Sequence, residues 1–188
     1  MVSHLEDGLL MKITNGLKPN YINKTNQMMK RPFNQKAYDA FDLKNKKEIL
    51  SIMADKGYTL VGNINEEHYK KYDVKFVKDG KEVSFENETR MNFATIRDVY
   101  KTIHIPIRKQ NTQADYYIVW KPELDEFFLI SKETISEHRN ETVTLLCNEH
   151  DEEHRWEDSF MDIPKDKAVL YKKINNKWGL AFKNKNNE

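Results

Sequence analysis

Asp73, Glu86, Glu88 and Arg90 carry the chain's sharpest chemical signal. They lie in "YDVKFVKDGKEVSFENETR", residues 72–90, on either side of Asp79-Gly80. Asp-Gly between two alternating runs predicts a β-hairpin with a two-residue turn. A spacing of two puts Glu86, Glu88 and Arg90 on one face of the second strand, with Val83 and Phe85 on the other. Carboxylates gathered on neighbouring strands raise one another's pKa unless a cation lies between them. Their hard oxygens suit Mg²⁺, with Mn²⁺ as a substitute, and such an ion polarises a phosphodiester and helps form the attacking hydroxide. In that arrangement Asp73 and Glu86 are metal ligands, and Glu88 completes the shell or orients the water. Arg90 then holds the scissile phosphate or screens the acids. The alternative is a solvated strand face on which the same charges pair with Lys75 across the hairpin, since alternating charge is a common strand surface.

The elements needed to hold such a site are readable around it. Leu43, Ile49, Leu50, Ile52 and Met53 fall at helical spacing from Asp42 onward, and Gly57 provides the stop. "YTLVGNI" (58–64) reads as extended, followed by hairpin strands near 72–78 and 82–90. Residues 91–100 form a short helix or a loop. "KTIHIPI" (101–107) is extended, because its isoleucines alternate and Pro106 forbids a helix interior. "ADYYIVW" (114–120) is a strand with both faces buried, "EFFLIS" (126–131) a further strand, and "SKETISEH" (131–138) a short helix. After "TVTLLC", the run "AVLYKKINNKWGLAF" reads as a hairpin turning at Asn175-Asn176, a C-terminal extension of the domain. The order gives an α/β or α+β domain around a mixed sheet, residues 37–188, preceded by an irregular arm, residues 1–36. That arm is basic: residues 12–36 carry Lys12, Lys18, Lys24, Lys30, Arg31 and Lys36 with no acid among them.

Between the extended segment and the buried strand lies "IPIRKQNTQAD". Arg108 and Lys109 open a run of donors with no acid before Asp115, which suits a phosphate-contacting loop as well as a polar turn. Asp115 itself reads as a strand-start cap.

Asp73 followed by Glu86-Asn87-Glu88 resembles the D…(E/D)-x-K signature of the PD-(D/E)XK nuclease superfamily, with Glu88 at the usual lysine position. The order of helix, extended segment, aspartate strand and E-x-x strand, then Arg108-Lys109 before "ADYYIV", is similar over roughly residues 40–135. The resemblance implies a restriction-endonuclease-like mixed sheet flanked by helices and Mg²⁺-dependent cleavage of nucleic acid, usually double-stranded DNA. It implies Asp73 and Glu86 as metal ligands with Glu88 at the lysine position, and it matches Glu48 to an additional acid on the preceding helix. Glu48 reads more readily as a solvated helix residue, because charged helix faces are the rule. Cleaving both strands with one site per chain needs two active centres, which a homodimer would supply, although no residue pattern specifies one. The substituted lysine opens a second reading, a catalytically inactive module on the same fold that binds nucleic acid or a protein, such as a defence or counter-defence factor.

Bulk properties narrow the class further. The 188 residues carry 31 Lys+Arg and 30 Asp+Glu, so any contact with nucleic acid depends on local clustering and not on the net charge of +1. A single cysteine, Cys147, excludes an intramolecular disulfide framework and fits a reducing, cytoplasmic setting. No run approaches the roughly 18–20 apolar residues that span a bilayer, and the first residues lack the order of a signal peptide. Cys147, His150 and His154 have zinc-like spacing but no fourth ligand. No phosphate-cradling glycine motif is present.

Overall fold

The computed structural model describes residues 35–64, 71–147 and 156–182, all within the unit spanning Arg31–Glu188. Most of the expected basic arm, the side chain of Cys147, and both His150 and His154 lie outside the described residues.

The chain is an α+β domain. Its central sheet has seven strands: β1 (Thr59–Leu60), β2 (Val74–Lys78), β3 (Lys81–Thr89), β5 (Tyr116–Trp120), β6 (Glu126–Ser131), β9 (Val169–Ile174) and β10 (Lys177–Phe182). They lie in the order β1-β2-β3-β5-β6-β9-β10. Only β3 and β5 run parallel, so the sheet is mixed. A second sheet, β4-β8-β7, is built from β4 (Thr102–Pro106), β7 (Thr142–Cys147) and β8 (Trp156–Pro164). The helices are α1 (Gln35–Asp55), α2 (Phe93–Asp98) and α3 (Lys132–His138). Because β9 is hydrogen-bonded to β6, the C-terminal hairpin completes the main sheet and is no separate extension.

Local chemistry accounts for most of these boundaries. Asp79 and Gly80 both take positive φ, 51° and 75°, which is the type I′ geometry that joins β2 to β3. Asn175 and Asn176 do the same between β9 and β10, at 50° and 60°. Helix α1 ends where Gly57 turns left-handed at φ 78°. There Gly57 N–H donates to Ala54 C=O and Tyr58 N–H to Met53 C=O, closing a Schellman cap. It begins at Gln35, one to two turns before the apolar spacing that starts from Asp42. In the 58–64 segment the strand is confined to Thr59 and Leu60, and Val61 N–H adds one more bond to Lys75 C=O at 2.8 Å.

Two apolar layers sandwich the main sheet. On one face Ile49 and Met53 of α1 pack against Val74, Phe76, Phe85, Ile118, Trp120 and Phe127. On the other, Tyr117, Val119, Phe128 and Ile130 meet α2, α3, β4 and β8 through Phe93, Ile135, Ile105 and Met161. β5 is therefore buried on both faces, with Tyr117 to Trp120 sealed. The single parallel pair requires a long crossover, residues 90–115, through α2 and β4. Within it the 3₁₀ turn Ile107–Lys109 brings the chain beside β3, and the loop 110–115 leads on to β5.

Candidate functional site

The alternation of β3 distributes its side chains between the two layers. Phe85 joins the α1 side, and Glu86 and Glu88 project toward Tyr117 on the opposite side. Glu86 is only 5 % exposed, so its carboxylate needs a partner. That partner is the Lys109 ammonium, delivered by the 3₁₀ turn of the crossover. Asp73 stands immediately before β2, where its Oδ2 accepts the Asn87 backbone N–H at 2.6 Å. Burial pushes the Asp73 carboxyl above its ordinary value. The Lys109 charge and the Asn87 N–H pull against that shift, and Asp42 adds to it. Burial likewise pushes the Lys109 ammonium down, against the charges of Asp73 and Asp42. Asp73, Glu86 and Lys109 thus form one charge cluster, with Asp42 of α1 at its margin.

Glu88 belongs to a second cluster. It accepts from the Tyr117 hydroxyl and lies 3.0 Å from Arg90 Nη2. Burial, with the Glu88 charge second, holds the Tyr117 phenol well above its ordinary pKa, so it acts as the donor. Arg90 Nη2 also donates to His104 C=O at 2.8 Å, and its guanidinium lies 5.7 Å from the Phe160 ring centroid. Arg90 therefore ties β3 to the small sheet. Arg108, one residue before Lys109, turns outward: its side chain is 54 % exposed and Nη1 is 3.7 Å from Asp158. Among the described residues no three of His, Cys, Asp and Glu gather into a metal-holding group.

Two other acids singled out by sequence are engaged elsewhere. Glu48 Oε1 accepts from Lys173 Nζ at 2.7 Å and Trp178 Nε1 at 3.0 Å, fastening α1 to the C-terminal hairpin. Asp115 Oδ2 accepts from Ser84 N–H and Oγ, both at 2.8 Å, and so caps the start of β5.

Sequence reasoning missed Asp42 and assigned Lys109 only to phosphate contact. Asp42 pairs with the buried Lys46 at 2.8 Å, and Asn45 Nδ2 donates to Thr89 Oγ1 at 2.9 Å. The available signal is helical spacing: Asn45, Ile49 and Met53 repeat every four residues, so the apolar stripe continues into a polar end. Such polar residues on the buried face of a helix mark an interface with other polar groups.

Asp73 and Glu86 offer hard oxygens, and Mg²⁺ commonly keeps several waters while using one or two carboxylates. A divalent ion would also oppose the burial that now raises the Asp73 pKa. Both carboxylates could serve as ligands of such an ion only if the Lys109 ammonium gives up Glu86. No family model, curated protein or solved structure matches this chain.

Proposed function

We propose that this protein is a Mg²⁺-dependent endonuclease that hydrolyses phosphodiester bonds in double-stranded DNA on a restriction-endonuclease-like core, with Mn²⁺ able to substitute. The observation that carries the reading is the convergence of Asp73, Glu86 and Lys109 at the point where the crossover returns to β3. Asp73 and Glu86 would hold the ion, which when bound supplies charge stabilisation for the phosphoryl oxygens and a more acidic water. Lys109 Nζ, borne on the loop, places a positive charge beside both carboxylates and can donate to a phosphate oxygen or position the water. In this way residue 109 supplies the ammonium that position 88 lacks. Exposed Arg108 meets the flanking phosphate. Glu88 and Arg90, held by Tyr117 and the His104 carbonyl, fix the strand that presents Glu86. A homodimer would bring two such centres to opposite strands.

The test is cleavage of plasmid DNA in Mg²⁺ and Mn²⁺ by wild type, Glu86→Gln and Glu88→Gln, each checked for folding by circular dichroism. Losing a ligand should remove about 3–4 kcal/mol of charge stabilisation, or about 10²–10³ in rate. Glu86→Gln should show that loss while Glu88→Gln retains metal-dependent turnover. Undiminished cleavage by Glu86→Gln sinks the assignment. A second reading, the non-catalytic binding module, draws on the neutralisation of Glu86 by Lys109 already present within the chain. Salt-dependent DNA binding without turnover in either metal selects it.

A further inference from the structure

Directly after Lys109 the chain lines a cavity of about 280 Å³. One wall is Gln110, Asn111, Thr112 and Gln113; the facing wall is Lys132 and Ser136 of α3, with the buried Ile135 beneath. The loop wall is pinned to the neighbourhood of Asp73. Gln113 N–H donates to Lys71 C=O at 3.0 Å, and Thr112 Oγ1 donates to the same oxygen at 3.2 Å. Thr112 N–H donates to Lys109 C=O at 3.0 Å. One short loop therefore carries the ammonium of the charge cluster at one end and the cavity wall at the other.

The lining is chemically selective. Three side-chain carboxamides each offer a paired donor and acceptor, the pattern that matches the N6 and N7 edge of adenine. Ile135, 2 % exposed and packed into the core, closes the cavity on its inner side. Lys132 supplies a cation, and no carboxylate lines the cavity among the described residues. The volume lies just below the roughly 300–1,000 Å³ typical of small-molecule sites and gives room for a single base.

We propose that this cavity is a nucleobase subsite that takes an unpaired base, adenine by preference, from the strand whose phosphate meets Asp73 and Glu86. The subsite rests on the phosphodiesterase reading, because that reading is what brings a nucleic-acid strand to this edge of the sheet. Gln110, Asn111 and Gln113 read the base edge, and Lys132 neutralises its phosphate. The enzyme then favours frayed, single-stranded or easily unpaired A-rich positions.

The experiment is fluorescence anisotropy of the full chain in EDTA, with labelled hexadeoxyadenylate, hexadeoxycytidylate and an abasic hexamer of equal charge. Hexadeoxyadenylate should bind about tenfold more tightly than the abasic probe, as one well-made base contact allows. Ser136→Trp, which fills the cavity, should reduce that ratio to one without weakening the abasic probe. Gln113→Ala, which leaves the backbone anchor to Lys71 intact, should lower it partway. Equal binding of all three probes, no measurable binding, or a preference that survives both variants overturns the proposal. Cleavage in Mg²⁺ is scored separately on the same preparations. Base preference without cleavage defeats the nuclease reading alone, and cleavage without base preference defeats the subsite alone.

Discussion

Lys109→Met isolates the interaction on which the candidate site turns. The wild-type ammonium neutralises Glu86, whose side chain is 6 % exposed, while its own side chain is 31 % exposed. Removing one member of a buried ion pair strands the other and costs about 3–5 kcal/mol. Water reaches the lysine side of this pair, so the lower end, about 3 kcal/mol, is expected. At about 2–4 °C per kcal/mol for a chain of this size, Tm should fall by about 6–12 °C. Methionine keeps most of the aliphatic contact, so the loss reports the charge. If Asp73 and Glu86 can share a divalent ion, Mg²⁺ should then substitute for the missing ammonium. An ion present at one hundred times its Kd restores about 2.7 kcal/mol, nearly the whole deficit. The assay is urea unfolding followed by tryptophan emission, in EDTA and in a Mg²⁺ series; the fully buried Trp120 provides the signal. The double variant Glu86→Gln/Lys109→Met should lose both the deficit and the Mg²⁺ response. A Lys109→Met protein that is as stable as wild type refutes the ion-pair argument. A destabilised one that ignores Mg²⁺ refutes the metal argument.

Asp73→Asn should stabilise the protein at neutral pH while removing cleavage. Burial raises the Asp73 pKa in the folded state, so ionisation opposes folding, and the advantage of the variant should shrink as pH falls through that raised value; urea midpoints across a pH series check it. Glu126 is a contrasting case, 2 % exposed with Arg97 Nη1 at 2.6 Å and Lys172 Nζ at 3.0 Å. Burial pushes its carboxyl up, but the hydrogen bonds from Arg97 and Lys172 outweigh that and leave it below its ordinary value. Its stabilisation is complete above the unfolded pKa of about 4.3 and is lost as pH falls through the folded value. Glu126→Gln should therefore cost about 1–3 kcal/mol at pH 7 and flatten the acid limb of a Tm-against-pH curve. Glu48→Ala should cost about 1–2 kcal/mol through Lys173 and Trp178 and leave Mg²⁺-dependent cleavage unchanged, which separates a structural acid from a catalytic one.

The contrast between what was legible and what was not follows sequence distance. Asp79-Gly80, Asn175-Asn176 and Gly57 act within a few residues, so the backbone geometry they demand is written beside them. The apolar runs of β5 and β6 are equally local, because burial on both faces removes polar residues from the run itself. Which strand lies beside which is not local: the hydrogen bonding of β9 to β6 depends on apolar faces 40 residues apart in the chain. Charge partners are more distant still from any pattern. Glu86, Glu88 and Arg90 share a strand face by spacing alone, yet spacing carries no record of which cation will neutralise which acid. Tyr117 and Arg90 take Glu88, and this leaves Glu86 to a lysine 23 residues away. That choice follows from the parallel pairing of β3 with β5, which requires a crossover whose 3₁₀ turn passes beside Glu86. The topology thus sets the Lys109 ammonium beside Glu86, while Glu88 two residues on is held by Tyr117 and Arg90.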